Sequence, residues 1–257
     1  MKQLNDLFGL TGKRALITGS TKGIGYTLAK GLAAAGAEVI INARHQDTVE
    51  HAKAQLTALG FTAYGLVFDV TNRQQLDQAI NEFEATTGAI DILINNAGIQ
   101  LRAPLEDFET DDFDHLMTTN VNSVFYVSQT IARHMIPRGE GKIINIASVQ
   151  SALARPTIAP YTASKGAVSN LTKGMTTDWA KYGLQINALA PGYFVTPLTE
   201  ALVNDSQFNT WLCNRTPSNR WGKLDELIGA CIFLSSNASS FVNGQTIYVD
   251  GGITACI

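Results

Sequence analysis

Ser148, Tyr161 and Lys165 are the residues whose types and spacing could do chemistry in this chain. Tyr161 and Lys165 stand four apart in a segment that reads as helical from Pro160 to about Tyr182, so a phenol and an ammonium face the same way one turn apart. A free tyrosine titrates near pH ~10, and a neighbouring cation favours its phenolate. Lys165 is therefore expected to draw Tyr161 toward working pH and make it a general acid/base. Ser148 follows residues 142–147, an apolar run that reads as a buried strand, and so falls where a parallel strand ends and a ligand-facing loop begins. By itself Tyr-x-x-x-Lys is ordinary helix surface, and the surrounding elements have to give it meaning.

The first of those elements is a strand over residues 13–18 that runs into Gly19-Ser20-Thr21-Lys22-Gly23-Ile24-Gly25 and then into a helix stopped by Gly36. Glycines let a backbone turn tightly and approach a pyrophosphate, while a helix N-terminus offers free N–H groups and the positive end of its dipole. All seven turn residues are thus candidates for holding a dinucleotide, although the spacing Gly-x-x-x-Gly-x-Gly differs from the Gly-x-Gly-x-x-Gly fingerprint. A second strand covers residues 37–42. Where a dinucleotide site usually places a carboxylate for the ribose 2′-hydroxyl, this chain has Ala43 and then Arg44. Lys22 and Arg44 could together face a 2′-phosphate, which argues for NADP over NAD; two solvated cations at a rim is the alternative.

Further strands are expected over 63–68, 91–94, 142–147, 184–190 and 245–249, with helices over 46–59, 73–86, 111–135, 160–182 and 224–234. This alternation predicts an α/β fold: a single-domain, Rossmann-like, doubly wound parallel sheet of about seven strands with helices on both faces, spanning 1–257. Asn120 lies amid the apolar residues of the 111–135 helix and needs a buried partner, as a structural amide or as part of a proton path. Residues 195–222, rich in aromatics and without strand signals, read as a helical excursion beside the carboxyl ends of the strands, where a substrate lid would sit.

A chain of 257 residues with 45% hydrophobic residues can bury a sizeable core, and no linker divides it. Its net charge of −3 and pI near 5.8 give no global attraction for nucleic acid or anionic membranes, so neither is expected as a partner. No apolar run reaches signal-peptide or membrane-spanning length, which points to the cytoplasm. Cys213, Cys231 and Cys256 read as separate reduced thiols. His45, His51, His115 and His134 lack metal-ligand spacing, and no metal is expected.

Taken together, Thr18-Gly19-x-x-x-Gly23-x-Gly25, Asp69, Asn95-Asn96-Ala97-Gly98, Asn120, Ser148, Tyr161-x-x-x-Lys165 and Pro191-Gly192-x-x-x-Thr196 resemble the short-chain dehydrogenase/reductase family over essentially the whole chain. The resemblance implies a catalytic tetrad of Asn120, Ser148, Tyr161 and Lys165. It also implies NADP(H) contacts from Asp69, Val70, Asn96, Ala97, Gly98, Tyr161, Lys165, Pro191, Gly192 and Thr196, with Asp69 near the adenine and Thr196 near the nicotinamide amide. Asn120 would hold a water that links Lys165 to solvent. A narrower set of segments, including 96–100, 190–194, 211–217, 220–222 and 241–244, is similar to members of this family that act on a sugar acid at C5. That likeness implies a small-molecule substrate met by Ser148, Gln150, Tyr161 and Tyr193, with Arg102 and Arg155 as clamps for its carboxylate. Ala152 stands where such members commonly have Glu, which leaves a broad NADPH carbonyl reductase as an alternative; from another class, an idle NADPH-binding regulator is a third. Family likeness also implies a homotetramer, with the apolar end 252–257 covered by a neighbouring subunit.

Overall fold

The computed structural model describes residues 3–196 and 199–256. Pro197 and Leu198 of the expected excursion, Ile257 of the apolar end, and Met1 and Lys2 lie outside the described residues. Seven strands form one sheet: β1 (Arg14–Ile17), β2 (Glu38–Ala43), β3 (Ala63–Val67), β4 (Ile92–Asn95), β5 (Gly141–Ile146), β6 (Leu184–Pro191) and β7 (Thr246–Val249). All neighbouring pairs are parallel, in the order β3-β2-β1-β4-β5-β6-β7. The helices between them are α1 (Leu4–Phe8), α2 (Gly23–Ala34), α3 (Gln46–Ala58), α4 (Arg73–Thr86), α5 (Thr110–Met117), α6 (Ser123–Arg138), α7 (Ala159–Trp179), α8 (Glu200–Val203), α9 (Ser206–Arg215) and α10 (Ile228–Ser235).

Because strand side chains alternate, each central strand feeds two cores. Ile17, Ile41 and Ile94 pack against Leu28 and Leu32 of α2, Leu56 of α3 and Leu234 of α10 on one face. Leu16, Ile40 and Leu93 pack against Ile80 of α4, Ile131 of α6 and Val168 of α7 on the other. The expected layering is therefore present. The order reverses beside β1, with β2 and β3 to one side and β4 onward to the other, so a crevice opens above the ends of β1 and β4 where open α/β sheets take their ligands.

One local expectation is corrected. The single helix expected over 111–135 is broken: α5 and α6 are joined by a π-helical turn, Thr118–Asn122, centred on Asn120. An extra residue in the turn rotates the Asn120 amide out of the apolar face and toward the loop after β4. At the apolar end, Ile253 packs inside this chain. Ile253 is only 2% exposed and clusters with Val149 and Leu212, while Ala255 and Cys256 are exposed. The three cysteines are free thiols, and no described helix is long and apolar enough to cross a membrane. Among the described residues no cluster of His, Cys, Asp and Glu has the makings of a metal site.

Candidate active site

The glycine turn is shaped by its backbone. Gly19 and Gly23 hold φ of 61° and 58°, the left-handed region that side chains disfavour. A Cβ on Gly25 would lie 2.4 Å from Asn96 Nδ2 and 2.6 Å from the Gly19 carbonyl oxygen, so only glycine fits there. At the N-terminus of α2 no side chain caps the first turn, and its N–H groups face the crevice mouth unclaimed by a side chain. Such a cradle, with exposed Lys22 at the helix start and exposed Arg44 after β2, suits a phosphorylated dinucleotide. Arg44 lies at the limit of ion pairing, its Nη1 4.0 Å from Asp69 Oδ2. The other Asp69 oxygen accepts from the Thr71 N–H at 2.8 Å and its hydroxyl at 2.7 Å.

Several residues expected to meet a cofactor have side chains that build the frame of the cradle. Ser20 is fully buried; its hydroxyl donates to the Ile17 carbonyl at 2.7 Å and accepts from the Asn42 N–H at 3.0 Å. The Asn96 amide donates to the Thr18 and Gly19 carbonyls at 2.9 and 3.0 Å. Thr18 Oγ1 accepts the N–H groups of Asn96 and Ala97 at 3.0 and 3.1 Å, which stitches the loop after β4 to the glycine turn. Val70 belongs to the core beside α4. Gly192 follows β6 so closely against Asp250 that a Cβ would sit 2.7 Å from the Asp250 Cα. Thr196 is tied by its N–H to Thr199 Oγ1 at 3.0 Å, which sets the start of the excursion.

The structure brings Ser148, Tyr161 and Lys165 together. Ser148 Oγ accepts the Gln150 N–H at 3.1 Å and lies close enough to the Tyr161 hydroxyl to favour its ionised form. Lys165 is 6% exposed; its Nζ donates to the Ile146 carbonyl at 2.7 Å and lies 5.7 Å from the centre of the Tyr161 ring. The expected pull of Lys165 on Tyr161 is not realised by the protein groups alone. Burial pushes the phenol up and Ser148 opposes it, but Lys165 is not among the causes. The spacing does place the two residues on one face. The lysine reaches the Ile146 carbonyl at the end of β5, with its Nζ 5.7 Å from the ring centre.

Burial pushes Lys165 itself down to about 8 from its ordinary 10.5. An unfolded chain would thus hold a proton there between roughly pH 8 and 10.5 that the folded chain has released. Its contribution to unfolding free energy must therefore rise with pH across that window. We expect the melting temperature without added nucleotide to rise more steeply from pH 8 to 10 in the native protein than in Lys165→Met. Parallel curves would show that Lys165 is not held down.

Asn120 is 1% exposed and committed at both ends. Its oxygen accepts the Ile99 N–H at 2.8 Å, and its amide donates to the Ile99 carbonyl at 2.9 Å and to Ser164 Oγ at 3.2 Å. The side chain fixes the loop after β4 against α7, with both amide hydrogens engaged. Behind it runs a buried relay that was not singled out from the sequence: Asn95 donates to Ser128 and Asn145 at 2.8 Å each, and Asn145 to Thr172 at 2.9 Å. Asparagines ending or interrupting apolar strands were its available signal.

Arg102 and Arg155 come from loops after β4 and β5 that are joined by the Ala103 N–H to the Thr157 carbonyl at 3.3 Å. Desolvation of its covered part, then the charge of Arg155, pushes the Arg102 guanidinium down, so the two cations are neighbours. Neither pairs with a carboxylate among the described residues. Arg102 reaches only the Gln100 amide oxygen, at 3.3 Å. Arg155 stacks its guanidinium 5.5 Å from the Phe208 ring centre, and its Nε is buried without a partner. Phe208 is presented by α9, whose first turn Asp205 caps through the N–H groups of Gln207 and Phe208 at 3.0 and 3.1 Å. Phe208, Trp221 and Tyr193 form an aromatic wall with centroid separations of 5.9 to 6.3 Å. Ala152 is exposed and carries no charge.

A parallel sheet with a phosphate cradle at its switch point, facing a serine and a Tyr-Lys pair, defines a dehydrogenase built on one nucleotide-binding domain. The family model for short chain dehydrogenases matches residues 13–207, and the chain belongs to that family. It is 62% identical over 252 residues to gluconate 5-dehydrogenase of Gluconobacter oxydans (strain 621H), with 98% of each chain covered. It is 49% identical over 254 residues to 5-keto-D-gluconate 5-reductase of Escherichia coli (strain K12), covering 99% of this chain and 100% of that one. Among solved structures, a gluconate 5-dehydrogenase from Burkholderia cenocepacia J2315, crystallised with NADP and tartrate, superposes with a TM-score of 0.98 at 60% identity, covering 99% of this chain and 100% of that chain.

Proposed function

We propose that this protein interconverts D-gluconate and 5-keto-D-gluconate, with NADP(H) as its cofactor. The observation that carries the substrate is the Arg102–Arg155 pair, two neighbouring guanidiniums that no carboxylate among the described residues pairs with. A substrate that brings its own carboxylate relieves their repulsion and gains charge-assisted hydrogen bonds. The names of the relatives, and the tartrate held by the Burkholderia enzyme, agree with a hydroxylated acid.

NADP(H) supplies the hydride chemistry when bound. Lys22, Arg44 and the open first turn of α2 hold its phosphates, and Asp69 borders the adenine end. Ser148, whose lone pair is occupied by the Gln150 N–H, keeps its own proton to donate to the substrate carbonyl oxygen. Tyr161 gives that oxygen its proton in reduction and takes it back in oxidation. Lys165, anchored by one N–H to Ile146, has others left for the nicotinamide ribose and holds positive charge beneath the Tyr161 ring. Tyr193, Phe208 and Trp221 wall the substrate in from the excursion.

Initial rates with NADPH and 5-keto-D-gluconate, beside a bulky aryl ketone, test the assignment. The sugar acid should be turned over far faster, and equal rates would make the protein a broad carbonyl reductase. Cofactor choice is tested at Arg44. Arg44→Ala removes a bidentate partner for the 2′-phosphate and should weaken NADPH by about 10–100-fold while moving NADH less than about threefold. Equal losses in fluorescence titrations would make Arg44 part of the fold.

A further inference from the structure

Resting on the reading of Arg102 and Arg155 as a carboxylate clamp, we infer that Thr157 is the clamp's positioning residue, whose left-handed backbone locks the two arginine-bearing loops to each other. Thr157 has φ of 70°. That region is uncommon for any side chain and a genuine outlier for a β-branched one. Among the described residues the only other non-glycine with positive φ is Asn219, at 53°, a residue type that tolerates it.

The conformation has a local origin. Pro156 and Thr157 form the turn between Arg155 and Ile158. Proline first and positive φ second is the pattern of a type II turn, whose second central position ordinarily takes glycine or asparagine. Beyond the turn the chain is pinned, since Ile158 is buried and its carbonyl accepts the Thr162 N–H at 2.9 Å at the start of α7. The Thr157 side chain is exposed, so burying it does not offset the strain.

The gain lies in the backbone. The Thr157 carbonyl accepts the Ala103 N–H at 3.3 Å, which ties the loop after β5 to the loop after β4. Ala103 directly follows Arg102, and Thr157 stands two residues after Arg155. The turn thus fixes the reach of two guanidiniums that repel each other, and slack loops would let them part. Backbone strain persists only where its surroundings over-determine it, and it collects at ligand clamps.

Two variants at this position test the role. Thr157→Pro sets φ to about −65° and, behind Pro156, opens the turn, whereas Thr157→Gly adopts the native φ freely. Thr157→Pro should raise the Michaelis constant for 5-keto-D-gluconate by about 10–100-fold, the size of a lost charge-assisted contact. Its kcat/KM for uncharged 1-hydroxy-2-butanone and its NADPH dissociation constant should stay within about threefold of native, which shows a folded protein with Tyr161 in place. Thr157→Gly should keep the Michaelis constant for 5-keto-D-gluconate within about threefold. Added to Arg102→Ala with Arg155→Ala, Thr157→Pro should change kcat/KM for 5-keto-D-gluconate by less than about threefold further, because the groups it positions are gone. An equal loss on both substrates in Thr157→Pro, no loss on either, a loss in Thr157→Gly as large as in Thr157→Pro, or a full further loss without the arginines overturns the inference. Failure of the clamp reading looks different: Arg102→Ala and Arg155→Ala then leave the Michaelis constant for 5-keto-D-gluconate unchanged with the native turn intact, and the inference falls with it.

Discussion

Tyr161→Phe is expected to lower kcat by about 10²–10⁴-fold while leaving the NADPH dissociation constant within about threefold of the native value. The substitution removes one oxygen and the proton it carries, and a positioned acid/base contributes a rate factor of about this size. The ring still packs on α7 above Lys165, so the fold and the nucleotide cradle keep their contacts. The pH profile adds a second check. Burial holds the phenol above its ordinary value among the protein's own groups. Reduction, which needs the protonated form, should therefore persist into alkaline solution, and oxidation should gain with rising pH. Activity of Tyr161→Phe within about threefold of native would remove the residue from the chemistry.

Replacing both Arg102 and Arg155 with alanine should raise the Michaelis constant for 5-keto-D-gluconate by about 10²–10⁴-fold. A charge-assisted hydrogen bond contributes about 1.5–3 kcal/mol, and the top of the range is the limit in which two such bonds on one carboxylate add, because neighbours that share a partner couple. Each single variant should cost about 10–100-fold. Arg155→Ala carries an additional packing loss, because its guanidinium covers Phe208. Uncharged 1-hydroxy-2-butanone supplies the control, and its Michaelis constant should move by less than about threefold in Arg102→Ala. A parallel rise for both substrates would assign the arginines to the shape of the loops, and no change for either would take the clamp away from this face.

Periodicity sufficed for the fold because the central strands are buried on both faces and the helices that cover them on one, so apolar runs and stripes recur at the periods that geometry demands. The ends of strands followed, and with them Gly19, Gly25, Ser148 and Arg44, since a parallel sheet sends its ligand-facing loops out from one edge. The pairing of Tyr161 with Lys165 was legible as well, because both sit on one helix and helical spacing is local.

Tertiary structure decided what those residues bond to. Ser20 and Asn96 look like ligand contacts from their place in glycine loops, and the packed chain adds backbone partners for their side chains on other segments, the Asn42 N–H for Ser20 and the Thr18 carbonyl for Asn96. Asn120 could be a proton-path residue or a structural amide in sequence, and the π-helical turn commits it to Ile99 and Ser164. The i, i+4 rule brings Lys165 beside Tyr161, yet the direction of its ammonium is set by the Ile146 carbonyl on β5. Arg102 and Arg155 are 53 residues apart, and their adjacency, like the bond from the Ala103 N–H to the Thr157 carbonyl, exists only once the loops after β4 and β5 are folded together. Sequence patterns report which face of an element is buried, a property of one segment at a time. Hydrogen-bond partners and charge neighbours belong to pairs of segments, and only the packed chain determines them.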